Sequence, residues 1–213
     1  MEFKVLFCTY LLERPILNNI IDYCYRDLVN IVGEENIILE KKREEEPLCI
    51  FTYYEQLLRC IESLQNKNEV VYVCEHDVLY HKSYFNFKDV KKDTFHYNTN
   101  FYYNTSKGYI KGGSPSFSQC VCYSDLLSRN LKQRILNKDS FNLIASEPGI
   151  HEPDYFKGFK IDYYNAEFCN IDIRHGHNIT GPRDDADKSR YTDDIEFWGD
   201  YRKLRAELNI LEK

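Results

Sequence analysis

The run Val70-Val71-Tyr72-Val73-Cys74, ending in Glu75-His76-Asp77 and resuming as Val78-Leu79-Tyr80, constrains this chain more than any other stretch. Consecutive apolar residues rich in β-branched side chains fit a strand covered on both faces, because a strand with one wet face alternates. Sheets of that kind open onto ligands at the carboxyl ends of their strands, so the carboxylates of Glu75 and Asp77 fall where a metal–diphosphate would be held. Acidic oxygens suit hard divalent cations such as Mg2+ or Mn2+, which neutralise phosphates. A solvated acidic turn after a core strand is the competing reading of the same three residues.

Periodicity places that strand in an alternating order. Residues 3–9 read as a strand, and Pro15 opens a helix with Leu17, Ile21, Cys24 and Leu28 at helical spacing. Residues 36–40 read as a second strand, 41–47 as a charged surface loop, and 53–65 as a helix with Leu57, Leu58, Ile61 and Leu64 inward. The alternation predicts an α/β fold with a mostly parallel central sheet and helices on both faces. Beyond residue 80 the pattern changes. The Tyr-, Asn- and Thr-rich stretch 95–109, with Gly108, Gly112 and Gly113, reads as short strands and turns. Residues 124–136 read as a helix, 168–174 as a further strand and 193–211 as a C-terminal helix. Two prolines make 146–154 an ordered loop, a place where function often resides.

The chain's 213 residues suit one domain. Its formal charge of −6 argues against a general polyanion-coating role, which draws on Lys and Arg. The apolar opening has no charged leader and no segment long enough to span a bilayer, which predicts a cytoplasmic protein with no membrane partner. Of eight cysteines, Cys8 and Cys74 fall in core strands and Cys24 and Cys60 on apolar helix faces, so reduced core thiols are expected. Cys120 and Cys122 have no second closely spaced pair, which argues against a zinc cluster.

Three further groups of residues carry chemistry. In His175-Gly176-His177 the two imidazoles are two residues apart, so at a strand end both can face one cation. Two His with one carboxylate is also a transition-metal set, which keeps a metallo-hydrolase open. Arg174 and Arg183 suit bidentate contacts to a diphosphate, or plain salt bridges to Asp172, Asp184 or Asp185. In the proline-bounded loop, Glu147 and Asp154, with Glu152, are available to accept a proton.

Taken together, Cys8-Thr9-Tyr10, Glu75-His76-Asp77-Val78-Leu79-Tyr80 and Arg174-His175-Gly176-His177-Asn178-Ile179-Thr180-Gly181 resemble small glycosyltransferases of the GT-A fold, including bacteriophage-encoded ones. The resemblance implies a single GT-A-like domain over 1–213, with 1–80 the nucleotide-binding half, 81–190 the acceptor side and 191–213 the C-terminal helix. It implies a nucleotide-sugar donor and a metal-dependent transfer to a hydroxyl, with Mn2+ or Mg2+ bound by Asp77 and completed by His175 or His177. Glu75 stands where the family has its first Asp, and its longer side chain suits ribose or water. Thr9, Tyr10 and Arg14 are implied contacts to base and ribose, and Asn178 and Arg183 to the rest of the nucleotide. The 175–177 segment is therefore expected within reach of 75–77. Phage-encoded relatives imply DNA carrying a hydroxymethylated pyrimidine as acceptor, with residues 97–109, Lys107 and Lys111 giving stacking and phosphate contacts. A noncatalytic nucleotide-sugar or nucleic-acid accessory protein is the alternative, since fold does not establish turnover.

Overall fold

The computed structural model of the chain describes residues 2–9, 15–47, 49–138, 147–148, 158–175 and 187–210, with side chains in the first helix from residue 18 onward. Among them the elements run β1 (Phe3–Thr9), α1 (Pro15–Val32), β2 (Ile37–Lys41), α2 (Ile50–Ser63), β3 (Val70–Glu75), β4 (Val78–Leu79) and β5 (Thr94–Asn98). Next come β6 (Phe101–Thr105), β7 (Gly108–Lys111), β8 (Cys120–Tyr123), α3 (Ser124–Leu136), β9 (Lys160–Tyr164) and β10 (Asn170–Ile173). The short elements β11 (Tyr191–Thr192), β12 (Asp194–Ile195), β13 (Gly199–Asp200) and α4 (Tyr201–Glu207) close the chain.

Two sheets carry the fold. Among the described residues the first has the order β2-β1-β3-β8-β5-β9 and the second β11-β7-β6-β10-β4. In the first, β1 is parallel to β2 and β3, and β5 to β9, whereas β8 is antiparallel to both its neighbours. The expected mostly parallel sheet is thus a mixed one, and connectivity gives the reason. The chain leaves β5 at the end where it also leaves β3, builds β6 and β7 in the second sheet, and re-enters from that end. A strand entering where its predecessor left must run the other way. The second sheet consequently lies across the carboxyl ends of β3 and β5.

Helices do cover both faces of the first sheet. Alternate side chains of β1 and β3, Leu6, Cys8, Val71 and Val73, pack against Leu57, Cys60 and Ile61 of α2 and Leu127 and Leu131 of α3. The intervening Val5, Phe7, Tyr72 and Cys74 meet Leu28, Tyr25 and Ile31 of α1. Helix α1 also serves the second sheet, where Ile20 and Cys24 pack with Leu79, Ile171 and Ile173 and with Leu204 and Leu208 beyond. All eight cysteines are free and seven are buried, in keeping with core thiols. No described helix is long and apolar enough to cross a membrane.

The C-terminal region departs from expectation. In place of one helix over 193–211, β12 and β13 form an antiparallel hairpin and α4 spans only seven residues. Asp200 sets the start, its carboxylate accepting from the amides of Arg202 and Lys203 as an N-cap. Strands β8 and β9 are additions to the sequence reading.

Gly112 marks a close approach. Its amide donates to the Phe101 carbonyl at 3.0 Å, and a Cβ there would run into the buried Phe101 ring. Gly112→Ala is expected to cost about 1–3 kcal/mol by overpacking. Urea titration should show a lower midpoint with an unchanged slope; an unchanged midpoint would mean the ring yields freely.

Candidate functional site

Strand β3 is flanked on both sides in the first sheet, and two residues after it ends the chain is already pairing in the second as β4. The residues that make this crossing are His76 and Asp77. Main-chain bonds fix it: the Ile173 amide donates to the Asp77 carbonyl at 2.8 Å, and the Arg174 amide to the Asn104 carbonyl at 2.9 Å. The Glu75 amide donates to the Tyr80 hydroxyl at 2.9 Å, which itself donates to the Ser118 carbonyl at 3.1 Å. Because β10 is thereby registered against the turn, the residues just after it arrive beside the carboxylates.

His175 Nε2 lies 3.5 Å from Asp77 Oδ2, and both side chains are largely buried, 7% and 13% exposed. His76, buried, sets its Nδ1 3.4 Å from the Cys8 carbonyl at the end of β1. Arg174 pairs with Asp172 at 2.8 Å and lays its guanidinium over the Tyr103 ring at 4.4 Å. From α4, Arg205 donates to the Arg174 carbonyl at 3.0 Å and to Asn104 Oδ1 at 3.2 Å.

The two carboxylates of the turn are driven apart in acidity. Burial pushes Glu75 well above the ordinary carboxylate range, and the nearby charges of Asp77, Asp172 and Glu147 add to it against the pull of Arg174. Burial would raise Asp77 as well, but its hydrogen bond with His175 and the positive charges of His76, His175 and Arg174 win, holding it down at about 2. Burial lowers His76, and His175 adds to that, opposed by Asp77. Arg174 is raised: burial works against its charge, but Asp172, Asp77, Tyr103 and Glu75 outweigh burial. Of the turn's two carboxylates, Asp77 is therefore the one held firmly ionised, near the buried guanidinium of Arg174.

Thr9 is buried at the end of β1, where its carbonyl accepts from Gln56 Nε2 at 3.0 Å and from the Lys42 amide at 2.9 Å. Glu147 is half-buried, its carbonyl held by Arg134 Nη2 at 2.8 Å, and its charge reaches Glu75. The structure thus brings Glu75, Asp77, His175 and Glu147 toward one region. Tyr10, Arg14, Asp154, His177, Asn178 and Arg183, with Glu152, lie outside the described residues. Among the described residues no three His, Cys, Asp or Glu side chains form a group that could hold a metal ion. Asp77 and His175 are the part of the implied ligand set that is described.

One expectation fails on burial. Tyr97, Phe101, Tyr103 and Tyr109 are 0–5% exposed, built into β5, β6 and β7, so their rings are not a stacking surface for bases; Lys107 and Lys111 are exposed. Sequence reasoning offered Asp172 only as one salt-bridge partner for Arg174, the pairing the structure shows, and assigned no role to Tyr80 or Arg134. Asp172 and Arg174 are two apart at a strand end and share a face.

No family model matches the chain, and no curated protein does. Among solved structures, the fold matches a glycosyltransferase involved in the glycosylation of the major capsid of PBCV-1, with a TM-score of 0.50 and 12% sequence identity. The match covers 76% of this chain and 81% of that one. At such identity the likeness is one of fold: a mixed α/β architecture that a glycosyltransferase also uses.

The opposed acidities make a stability prediction. A carboxyl raised in the folded state penalises folding at neutral pH, and the penalty fades as pH falls to its unfolded value near ~4.3. Glu75→Gln is therefore expected to raise the melting temperature at pH 7, with the gain vanishing toward pH 4. Asp77 runs the other way, its contribution complete above about pH 4 and lost as pH falls through about 2. Thermal melts of Glu75→Gln and wild type at both pH values, with chelator present, check this; equal melting temperatures at pH 7 would refute it.

Proposed function

We propose that this chain is a glycosyltransferase that moves a sugar from a nucleotide-sugar donor to an acceptor hydroxyl. The observation that carries the reading is the contact between Asp77 and His175 at the carboxyl ends of β3 and β10, in a fold that a glycosyltransferase shares. Departure of a nucleoside diphosphate demands positive charge at a fixed place in a partly dry site. Arg174, held by Asp172 and Tyr103, has its charge fixed there by burial and pairing.

A divalent cation fits this donor set. Asp77 stays ionised at any physiological pH and its oxygen lies 3.5 Å from the His175 nitrogen, an O,N pair that suits Mn2+ better than the oxygen-seeking Mg2+. Asp77 and His175 would hold the ion, with His177 as the implied third ligand, and the ion would neutralise charge on the leaving diphosphate. The chain's own groups do the rest. His76 seats the turn against the end of β1, and the Ile173–Asp77 main-chain bond keeps the carboxylate from swinging away. Glu147, near Glu75, is the described carboxylate we assign to take the acceptor's proton if the anomeric configuration inverts.

The acceptor we would test first is a hydroxymethylated pyrimidine in DNA. Its support is the phage-like resemblance of the motifs, without the aromatic stacking surface once expected from residues 97–109.

The reading is tested by incubating the protein with a nucleotide-sugar panel, Mn2+ or Mg2+, and acceptors that include DNA bearing 5-hydroxymethylcytosine or 5-hydroxymethyluracil. Released nucleoside diphosphate and acceptor mass are measured. Asp77→Asn should lower turnover by at least about 100-fold with unchanged circular dichroism. Activity that survives both this substitution and exhaustive chelation removes the metal assignment. Saturable donor binding with no transfer to any acceptor and no hydrolysis would identify the accessory protein instead.

A further inference from the structure

The hairpin of β12 and β13 turns through Ile195-Glu196-Phe197-Trp198, closed by the Trp198 amide donating to the Ile195 carbonyl at 3.1 Å. Phe197 sits third in this turn with φ +76°, while Glu196 is not among the positive-φ residues. That combination is a type II turn, whose third position asks for glycine or asparagine. A bulky residue there is a genuine outlier, held against its own backbone preference.

What the strain achieves is display. Phe197 is 62% exposed, yet its ring is in contact with three others. His81 meets it at 4.4 Å and 80°, Trp198 at 4.9 Å and 86°, and Phe168 at 5.9 Å. Trp198 is pinned in turn by its Nε1 donating to the Cys169 carbonyl at 2.7 Å. Exposed charged residues adjoin the ring and its partners along the chain: Glu196 next to Phe197, Glu167 next to Phe168 and Lys82 next to His81, and the last two act electrostatically on His81.

We propose that Phe197 is the stacking platform of an oligosaccharide subsite; its place on the acceptor side rests on the transferase reading given above and sets a glycan chain against the DNA base as that transferase's acceptor. A rigid aromatic face offers an apolar surface to the C–H face of a sugar ring, and the rim of carboxylates and ammonium pairs with the hydroxyls around it. Protein and lipid partners would need a broader apolar patch. Among the described residues the other exposed large apolar side chains, Leu39, Leu136 and Tyr163, belong to β2, α3 and β9 and do not extend this one. Four residues of chain lead from Cys169, which holds Trp198, to Ile173, whose amide bonds Asp77, so the platform and the Asp77 turn are separated by roughly 13 Å of strand at ~3.3 Å per residue. One monosaccharide cannot touch both; an extended glycan can.

The single tryptophan of the chain, Trp198, reports on the platform directly. The full chain is probed on an array of neutral oligosaccharides of four or more sugars, and hits are titrated by Trp198 fluorescence. Wild type and Phe197→Tyr should bind at least one class saturably. Phe197→Gly should lose at least tenfold in affinity while melting at the same temperature or higher, because glycine accepts φ +76° without strain. Donor hydrolysis without acceptor should be equal in all three. No binding by wild type to any array member, or equal binding by Phe197→Gly, overturns the proposal. Phe197-dependent binding with no donor turnover on any nucleotide-sugar would remove the transferase reading and leave the subsite standing.

Discussion

The amide of Ile173 reaching the carbonyl of Asp77 is a single hydrogen bond, but two sheets meet through it. Strand β3 is buried on both faces and has neighbours on both edges, so the chain can leave it only at the end. Within the next two residues it must find new partners for its main-chain groups, because buried unpaired amides and carbonyls are costly. Pairing with β10 supplies them and sets the register of the second sheet. The side chain of Asp77 then has little choice of direction, and the residues that follow β10 are delivered to it. The encounter of Asp77 with His175 is in this sense a consequence of how the main chain is satisfied.

Charge balance in the same place follows from burial. Glu75, Asp77 and Asp172 share a small volume with Arg174, His76 and His175, and no pair alone would offset the loss of water. Asp172 keeps Arg174 charged, Arg174 and the imidazoles keep Asp77 charged, and Glu75 is left as the carboxyl for which ionisation is least favourable. An arrangement that suppresses one acid and fixes another is what environments do when two carboxylates have different tasks.

Strand β3, helix α3 and the opening βαβ order were legible in the sequence because their signals are local: a continuous apolar run, helical spacing, Pro15 at a helix start. Strand β8 was not. Four residues, Cys120 to Tyr123, leading directly into Ser124 of α3 give no period of their own, and only pairing with β3 and β5 makes them a strand. Once β8 is present the sheet has to be mixed. The C-terminal helix was overextended for a related reason, since apolar spacing from Trp198 to Leu208 fits a helix while the cap at Asp200 decides where it begins. As for the site, the carboxylates of 75 and 77 follow from the strand that precedes them, whereas the partnership with His175, a hundred residues on, rested on resemblance and gains its physical cause only from β10.

The abundance of tyrosine has a structural answer. Tyr72, Tyr84 and Tyr97 are buried, and each hydroxyl donates to a main-chain carbonyl of a distant segment: Phe87 at 3.0 Å, Cys120 at 3.2 Å and Pro148 at 2.5 Å. A tyrosine in this position fills the core as phenylalanine would and satisfies a carbonyl of another segment, in a loop for Phe87 and Pro148 and at the start of β8 for Cys120. With 18 tyrosines and one tryptophan, the chain ties its long connections to its sheets by such bonds. In the stretch that looked like a ligand surface, 97–109, the rings of Tyr97, Phe101, Tyr103 and Tyr109 are likewise interior. Aromatic density in a sequence points to a binding face only where the backbone spends conformational energy to keep a ring in water, and among the described residues that condition is met at Phe197.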